Sequence, residues 1–218
     1  MNIKKYLTIS CALVFFMLIS ITAISHADTK SQGNGLNPQI LDKAFNMYYC
    51  AKKDKLNPTN YLTIIDYSLP STAKRLWLFQ VDNKKLLLNT WVAHGIKSGV
   101  LYSQYFSNDQ QSHQSSLGLF QTGNIYGGHH GNSLRLNGLS PGLNTNAASR
   151  SVVVHGAWYV SQDFINKYGR LGRSWGCPAV AMNVSQTYIN IIKNGSLIFS
   201  YYPNKALLSS PRYIGCDK

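Results

Sequence analysis

Residues 150–180 read RSVVVHGAWYVSQDFINKYGRLGRSWGCPAV, and how this stretch folds decides the architecture. The β-branched run Val152 to Val154 predicts a buried strand that ends at His155 and opens onto a loop at Gly156. SQDFINKYG, residues 161–169, reads as a short helical connection. It is long enough to bring two adjacent strand ends together, one presenting His155 and the other Cys177. The thiol sits between Gly176 and Pro178, with Arg170 and Arg173 upstream. Pro178 disfavours helical backbone at Cys177, so no helix dipole is expected to lower its pKa. Activation then falls to neighbouring groups: Arg173 brings positive charge, and Gly176 allows close backbone approach and N–H groups for an oxyanion. By itself Cys177 has three readings: a nucleophile, half of a disulfide, or a small buried hydrophobe. The pairing with His155, 22 residues upstream, raises the first. A Cys–His pair is the minimum for thiol acyl transfer, with the imidazole holding the thiolate and later protonating the leaving amine.

Outward from this stretch the pattern is mainly β. YLTIIDYS from Tyr61 is β-branched and aromatic, and RLWLFQV and KKLLLNTWVAHG flank Asp82-Asn83 as a hairpin. LGLFQTG and SLIFSYY are further strands, whereas Ser98 to Ser116 and the Gly/Asn-rich YGGHHGNSLRLNGLSPGLNTNAAS read as long loops. Upstream, Ile40, Leu41, Ala44, Phe45 and Tyr48 fall at helical spacing behind Pro38, and VSQTYINIIKNG reads as a short helix closed by Gly195. The expected fold is a β-sandwich or barrel with long loops, an N-terminal helix and a short C-terminal one. The expected organisation is a signal peptide over 1–27, a linker and amphipathic helix over 28–57, and a catalytic domain over 58–218.

Composition narrows the function. Lys4 and Lys5 precede an apolar run, and SHA at 25–27 has the pattern of a signal-peptidase site, so the mature chain is expected to be exported to the periplasm or cell envelope. A retained membrane anchor is the other reading of the apolar run. The 218-residue chain carries a net charge of +13, which suits an anionic wall polymer better than nucleic acid in an exported protein. All eight acidic residues are Asp and they are scattered singly, which argues against paired-carboxylate chemistry and an acidic metal cluster. His129-His130 lacks a third ligand at metal spacing, so no metal is expected. Beyond the signal three cysteines remain; Cys50 and Cys216, near the two ends, are the expected disulfide, leaving Cys177 free.

HGAWYVS followed by GRSWGCPAV resembles the murein L,D-transpeptidase catalytic domains, in a divergent YkuD-like branch. IIDYSLPSTAKRLWLF, WVAHGIKSG, FSNDQQSHQSSLGLFQTG and YGGHHGNSLRLNGL extend the resemblance, in order, over roughly 61–202. It implies Cys177 as nucleophile, His155 as base and Gly156 as the residue whose carbonyl orients the imidazole. Ser174 and Gly176 match the signature, and Trp175 stands where the usual motif has a histidine. That indole walls the pocket, stacks on substrate, or is a core aromatic. The implied substrate is a peptidoglycan tetrapeptide stem, with Arg150, Arg173 and His130 as carboxylate anchors. No cofactor is implied, and a monomer is expected. Three other readings are a sortase-like transpeptidase, a wall-binding module without activity, and a surface adhesin.

Overall fold

The computed structural model describes residues 35–208 except His130. Helix α1 (Pro38–Lys53) begins at Asn37, whose side chain accepts the Gln39 N–H at 2.9 Å, and Pro38 fills a first-turn position that needs no donor. Ile40, Ala44, Phe45, Met47, Tyr48 and Ala51 recur every three or four residues and merge with the core of the sheet. Lys52 and Lys53 in the last turn suit the negative end of the helix dipole.

The strands are β1 (Tyr61–Asp66), β2 (Leu76–Gln80), β3 (Lys85–Thr90), β4 (Val92–Ala93), β5 (Gly118–Gly128), β6 (Gly131–Gly138), β7 (Val153–Ala157), β8 (Ala179–Ala181) and β9 (Leu197–Tyr201). Three further helices are α2 (Gln162–Tyr168), α3 (Met182–Ile192) and α4 (Lys205–Leu208). The strands form one sheet in the order β3-β2-β1-β9-β5-β6-β7-β8-β4. Only Trp91 separates the two edge strands β3 and β4 in sequence, so the sheet curls until its edges nearly meet. The fold is mainly β, with a helix at the N-terminal end and short helices toward the C-terminal end, as expected.

Outside residues 150–180 the structure departs from the expected pattern in two places. YGGHHGNSLRLNG is not a loop: β5 and β6 form a long antiparallel hairpin, pairing Ile125 with Leu134 and Tyr126 with Ser133. Its glycines and asparagines suggest a break, but Ser133, Leu134 and Leu136 turn inward and the paired backbone supplies the order. A side chain at Gly138 would place Cβ against the Asn144 carbonyl, so glycine is needed where the hairpin meets the following turn. Helix α3 ends earlier than Gly195, capped at Lys193, and Asn194 and Gly195 both take positive φ on the way into β9.

Residues 150–180 hold a β7–α2–β8 crossover. β7 and β8 are parallel, with His155 opposite Ala179, and parallel neighbours require such a connection. Ser161 caps α2 by accepting the Phe164 N–H, and Gly169 ends it in left-handed conformation at φ 68°. His155 lies in the middle of β7 rather than at its end, because the strand continues to Ala157. Cys177 stands two residues before β8, level with Val153 in the same register.

Candidate active site

Cys177 and His155 line one open cleft of about 610 Å³, together with Tyr126, Tyr159, Arg173 and Trp175. His155 is almost wholly buried. Its Nδ1 lies 2.9 Å from the Gly156 carbonyl oxygen. A carbonyl only accepts, so Nδ1 carries the proton and Nε2 bears the lone pair of the neutral ring. Gly156 is held to glycine by α3, since a Cβ there would meet Ser185 Oγ at 2.7 Å. A strand buried on every residue therefore fixes both the position and the tautomer of the imidazole.

Cys177 is a free, half-buried thiol. Its Sγ accepts the Val153 N–H at 3.4 Å and donates to the Ser151 carbonyl at 3.7 Å. Burial pushes its pKa up, opposed by the Val153 N–H and then by the Arg150 charge. The sequence reading has the imidazole holding a standing thiolate. The site instead favours the protonated thiol, because desolvation is the largest influence on it.

The turn before the cysteine is tightly specified. Ser174 Oγ donates to the Cys177 carbonyl at 2.6 Å and accepts the Gly176 N–H at 3.1 Å. That N–H is thus spent on the turn instead of being offered to an oxyanion. Gly176 has φ 117°, and a Cβ there would stand 2.6 Å from the Gln114 carbonyl, so both conformation and space call for glycine. Trp175 projects from the same turn with 73 % of its surface exposed, which excludes a core position. Its indole lies against the His113 imidazole, centroids 4.6 Å apart and planes 16° from parallel.

The two arginines are used differently. Arg150 gives one terminal nitrogen to the Ser107 carbonyl and Ser116 Oγ, and the other to Ser112 Oγ and the Gln114 carbonyl. It braces the long loop from inside. Arg150→Ala is expected to lower stability by roughly 2–3 kcal/mol, since several charge-assisted bonds lose their donor. Lysine should not restore it, lacking the planar fork. Urea unfolding of both variants checks this, and a loss below about 0.5 kcal/mol would contradict the bracing role. Arg173 holds the Ile96 and Gly99 carbonyls through Nη1 alone, at 3.2 and 3.0 Å, and its head borders the cleft.

Beneath the turn lies a buried pair that sequence reading missed. Arg75 and His94 are completely buried. Arg75 donates to the Leu69 and Val92 carbonyls and, at 2.7 Å, to His94 Nδ1. His94 Nε2 therefore carries the proton and donates to the Gly99 carbonyl at 3.3 Å, while the His94 carbonyl accepts the Ser174 N–H at 3.0 Å. Burial first, and then the Arg75 charge, push the His94 pKa down from 6.5 to about 3. The folded protein keeps His94 neutral where the unfolded chain protonates it. The stability this lends is complete above pH 6.5 and is lost as the pH falls toward 3. Unfolding free energy should drop about 1.4 kcal/mol per pH unit from this group across that window. Denaturation of His94→Gln at several pH values tests it: the variant should lack this slope, and an unchanged slope would contradict the assignment.

Of the other expected residues, Cys50 is disulfide-bonded. Cys216, its expected partner, lies outside the described residues, as do His130 and the expected signal peptide at 1–27. His129 borders the cleft. Among the described residues no three His, Cys, Asp or Glu side chains are grouped to hold a metal ion. Sequence reading also missed Tyr159, whose phenol burial pushes up to about 12, with a further rise from Cys177 nearby. The aromatic pair Trp158-Tyr159, three and four residues past the histidine, was the available signal.

A family model described as the L,D-transpeptidase catalytic domain matches residues 32–201. No curated protein matches the chain. Among solved structures, an L,D-transpeptidase from Mycobacterium smegmatis aligns at 12% identity, covering 66% of this chain and 59% of that one, with a TM-score of 0.41. One from Stackebrandtia nassauensis aligns at 14% identity over 74% of this chain and 67% of that one, also with a TM-score of 0.41. This chain thus spans less than two thirds of the mycobacterial protein's length.

Proposed function

The chain belongs to the L,D-transpeptidase catalytic domain family, and we propose that it is an exported cysteine acyltransferase acting on peptidoglycan stem peptides. The observation that carries this is the shared cleft, in which a free thiol faces the same space as an imidazole whose tautomer is set by the Gly156 carbonyl. Cys177 Sγ attacks the carbonyl at the L-centre of diaminopimelate in a tetrapeptide stem. As the S–C bond forms, the thiol proton passes to His155 Nε2. Burial raises the thiol pKa, which favours a transfer that accompanies attack over one that precedes it.

The carbonyl oxygen becomes an oxyanion. With the Gly176 N–H committed to Ser174, the Cys177 N–H, which has no partner among the described residues, is the open backbone donor on the nucleophile's own residue. The tetrahedral adduct collapses as His155 returns its proton to the departing D-Ala amine, leaving a thioester on Cys177. An amine of a second stem then attacks the thioester, giving a cross-link and restoring the thiol. Water in its place gives L,D-carboxypeptidase action. Arg173, with one terminal nitrogen tied to loop carbonyls, presents charge to the stem carboxylates. Every step uses groups of the chain and the substrates, so no cofactor is required. The basic balance draws the enzyme to anionic wall polymer in the envelope.

The test is incubation of the protein lacking residues 1–27 with disaccharide-tetrapeptide, read by mass spectrometry. Loss of D-Ala or formation of a stem dimer is expected. Absence of both, with retained binding to isolated wall, would instead assign the chain as a binding module.

A further inference from the structure

We propose that the exposed face of Trp175 is a sugar-stacking subsite that holds the glycan to which the stem peptide is attached, an inference that rests on the peptidoglycan reading above. Trp158 is as exposed as Trp175, so exposure alone assigns nothing; Trp175 differs in bordering the cleft that holds Cys177 and His155. Here the ring is also fixed. Its inner face lies on the His113 imidazole, and 73 % of the residue remains open.

Both members of the stack are braced. Trp175 projects from the turn locked by the Ser174 hydrogen bonds to Cys177 and Gly176. Arg150 grips Ser112 and Gln114, the residues on either side of His113. The Ile96 N–H bonds the Ser174 carbonyl at 2.7 Å, which sets a part-exposed isoleucine on the strand of loop beside the indole's own turn. A flat aromatic face, held before any ligand arrives, has already met most of the ordering cost of binding.

The occupant follows from shape, charge and distance. A pyranose ring has one face of C–H groups that dehydrates well on an indole, while its hydroxyl and amide groups stay in water. The neighbouring Arg173 disfavours a cationic occupant, including the ammonium of an acceptor stem. The attacked carbonyl belongs to the third stem residue, so the sugar lies three residues from the sulfur, about 10 Å in extended chain. Trp175 is two residues from Cys177 and lines the same cleft, a placement compatible with that span.

The experiment uses the Cys177→Ala protein, which cannot turn over, titrated with N-acetylglucosamine tetrasaccharide and followed by tryptophan fluorescence. Saturable quenching is expected, and adding Trp175→Ala should weaken the affinity roughly tenfold or more, the equivalent of about 1.4 kcal/mol. Trp175→Phe should keep part of it, and His113→Ala should weaken it through a loosened ring. In the active protein, Trp175→Ala should raise the ratio of KM for disaccharide-tetrapeptide to KM for bare tetrapeptide by a similar factor. Saccharide binding that is absent, or indifferent to Trp175, would overturn the inference even if the protein proves an active transpeptidase. Quenching by a free diamine but not by the saccharide would also overturn it, assigning the indole to the acceptor side. The titration needs no turnover, so failure of the enzymatic reading would show separately.

Discussion

Cys177→Ala is expected to lower D-Ala release from a tetrapeptide stem by at least about 10⁴-fold, while substrate binding is retained. The size follows from the division of labour. Without sulfur no thioester forms, and the serines that line the cleft, Ser133, Ser151 and Ser174, offer only hydroxyls, far weaker nucleophiles. Ser174 lies three residues upstream, but its hydroxyl is committed to the Cys177 carbonyl and the Gly176 N–H. Folding should survive, because among the described residues the sulfur's hydrogen bonds are the long ones to Val153 and Ser151. Serine in its place should be nearly as inactive, since a hydroxyl is a far weaker nucleophile at the same position. The wild-type thiol should also show its environment. Burial holds its pKa above the ordinary thiol value, so alkylation by iodoacetamide should be slow at pH 7 and accelerate with rising pH. Fast alkylation at pH 7 would instead mean a standing thiolate.

His155→Gln is expected to cost roughly 10²–10⁴-fold in kcat/KM, the usual worth of a positioned general base. The amide approximates the ring's size but cannot accept and return a proton. The pH profile separates this from a packing defect. In wild type, kcat/KM should rise on an imidazole ionisation as His155 loses its proton. In the variant that limb should vanish, leaving a rate that climbs with pH as hydroxide does the work. A variant with equal loss at every pH and the wild-type limb intact would point to disturbed β7 packing. Gly156→Ala is a different kind of change, because its side chain would collide with α3 rather than remove a proton carrier.

That Cys177 and His155 share one cleft was legible because two kinds of signal coincided. A β-branched run announces β7, and the Gly-Cys-Pro context announces an irregular turn that holds a thiol. The interval between them fits a parallel crossover, and the register of β7 on β8 supplies that crossover. What the pattern missed has physical causes. The β5–β6 hairpin is built from glycine and asparagine, whose local preference is for turns, and only pairing across the sheet overrides it. The bracing by Arg150 joins residues 34 to 43 positions apart, and two of its four acceptors are backbone carbonyls that leave no mark on the sequence. The Ser151 carbonyl beside the thiol is hidden for the same reason. His94 reads as one more histidine after a strand; only its burial against Arg75 shows that it supports the turn from below.

The central claim is that Cys177 carries the stem as a thioester. The most direct measurement is intact-protein mass spectrometry after rapid acid quench of the wild-type protein with tetrapeptide stem, followed by peptide mapping. The account predicts a mass increase equal to the stem without its terminal D-Ala, confined to the peptide containing Cys177 and released by neutral hydroxylamine. Product formation with no such adduct, or an adduct on any other residue, would contradict it.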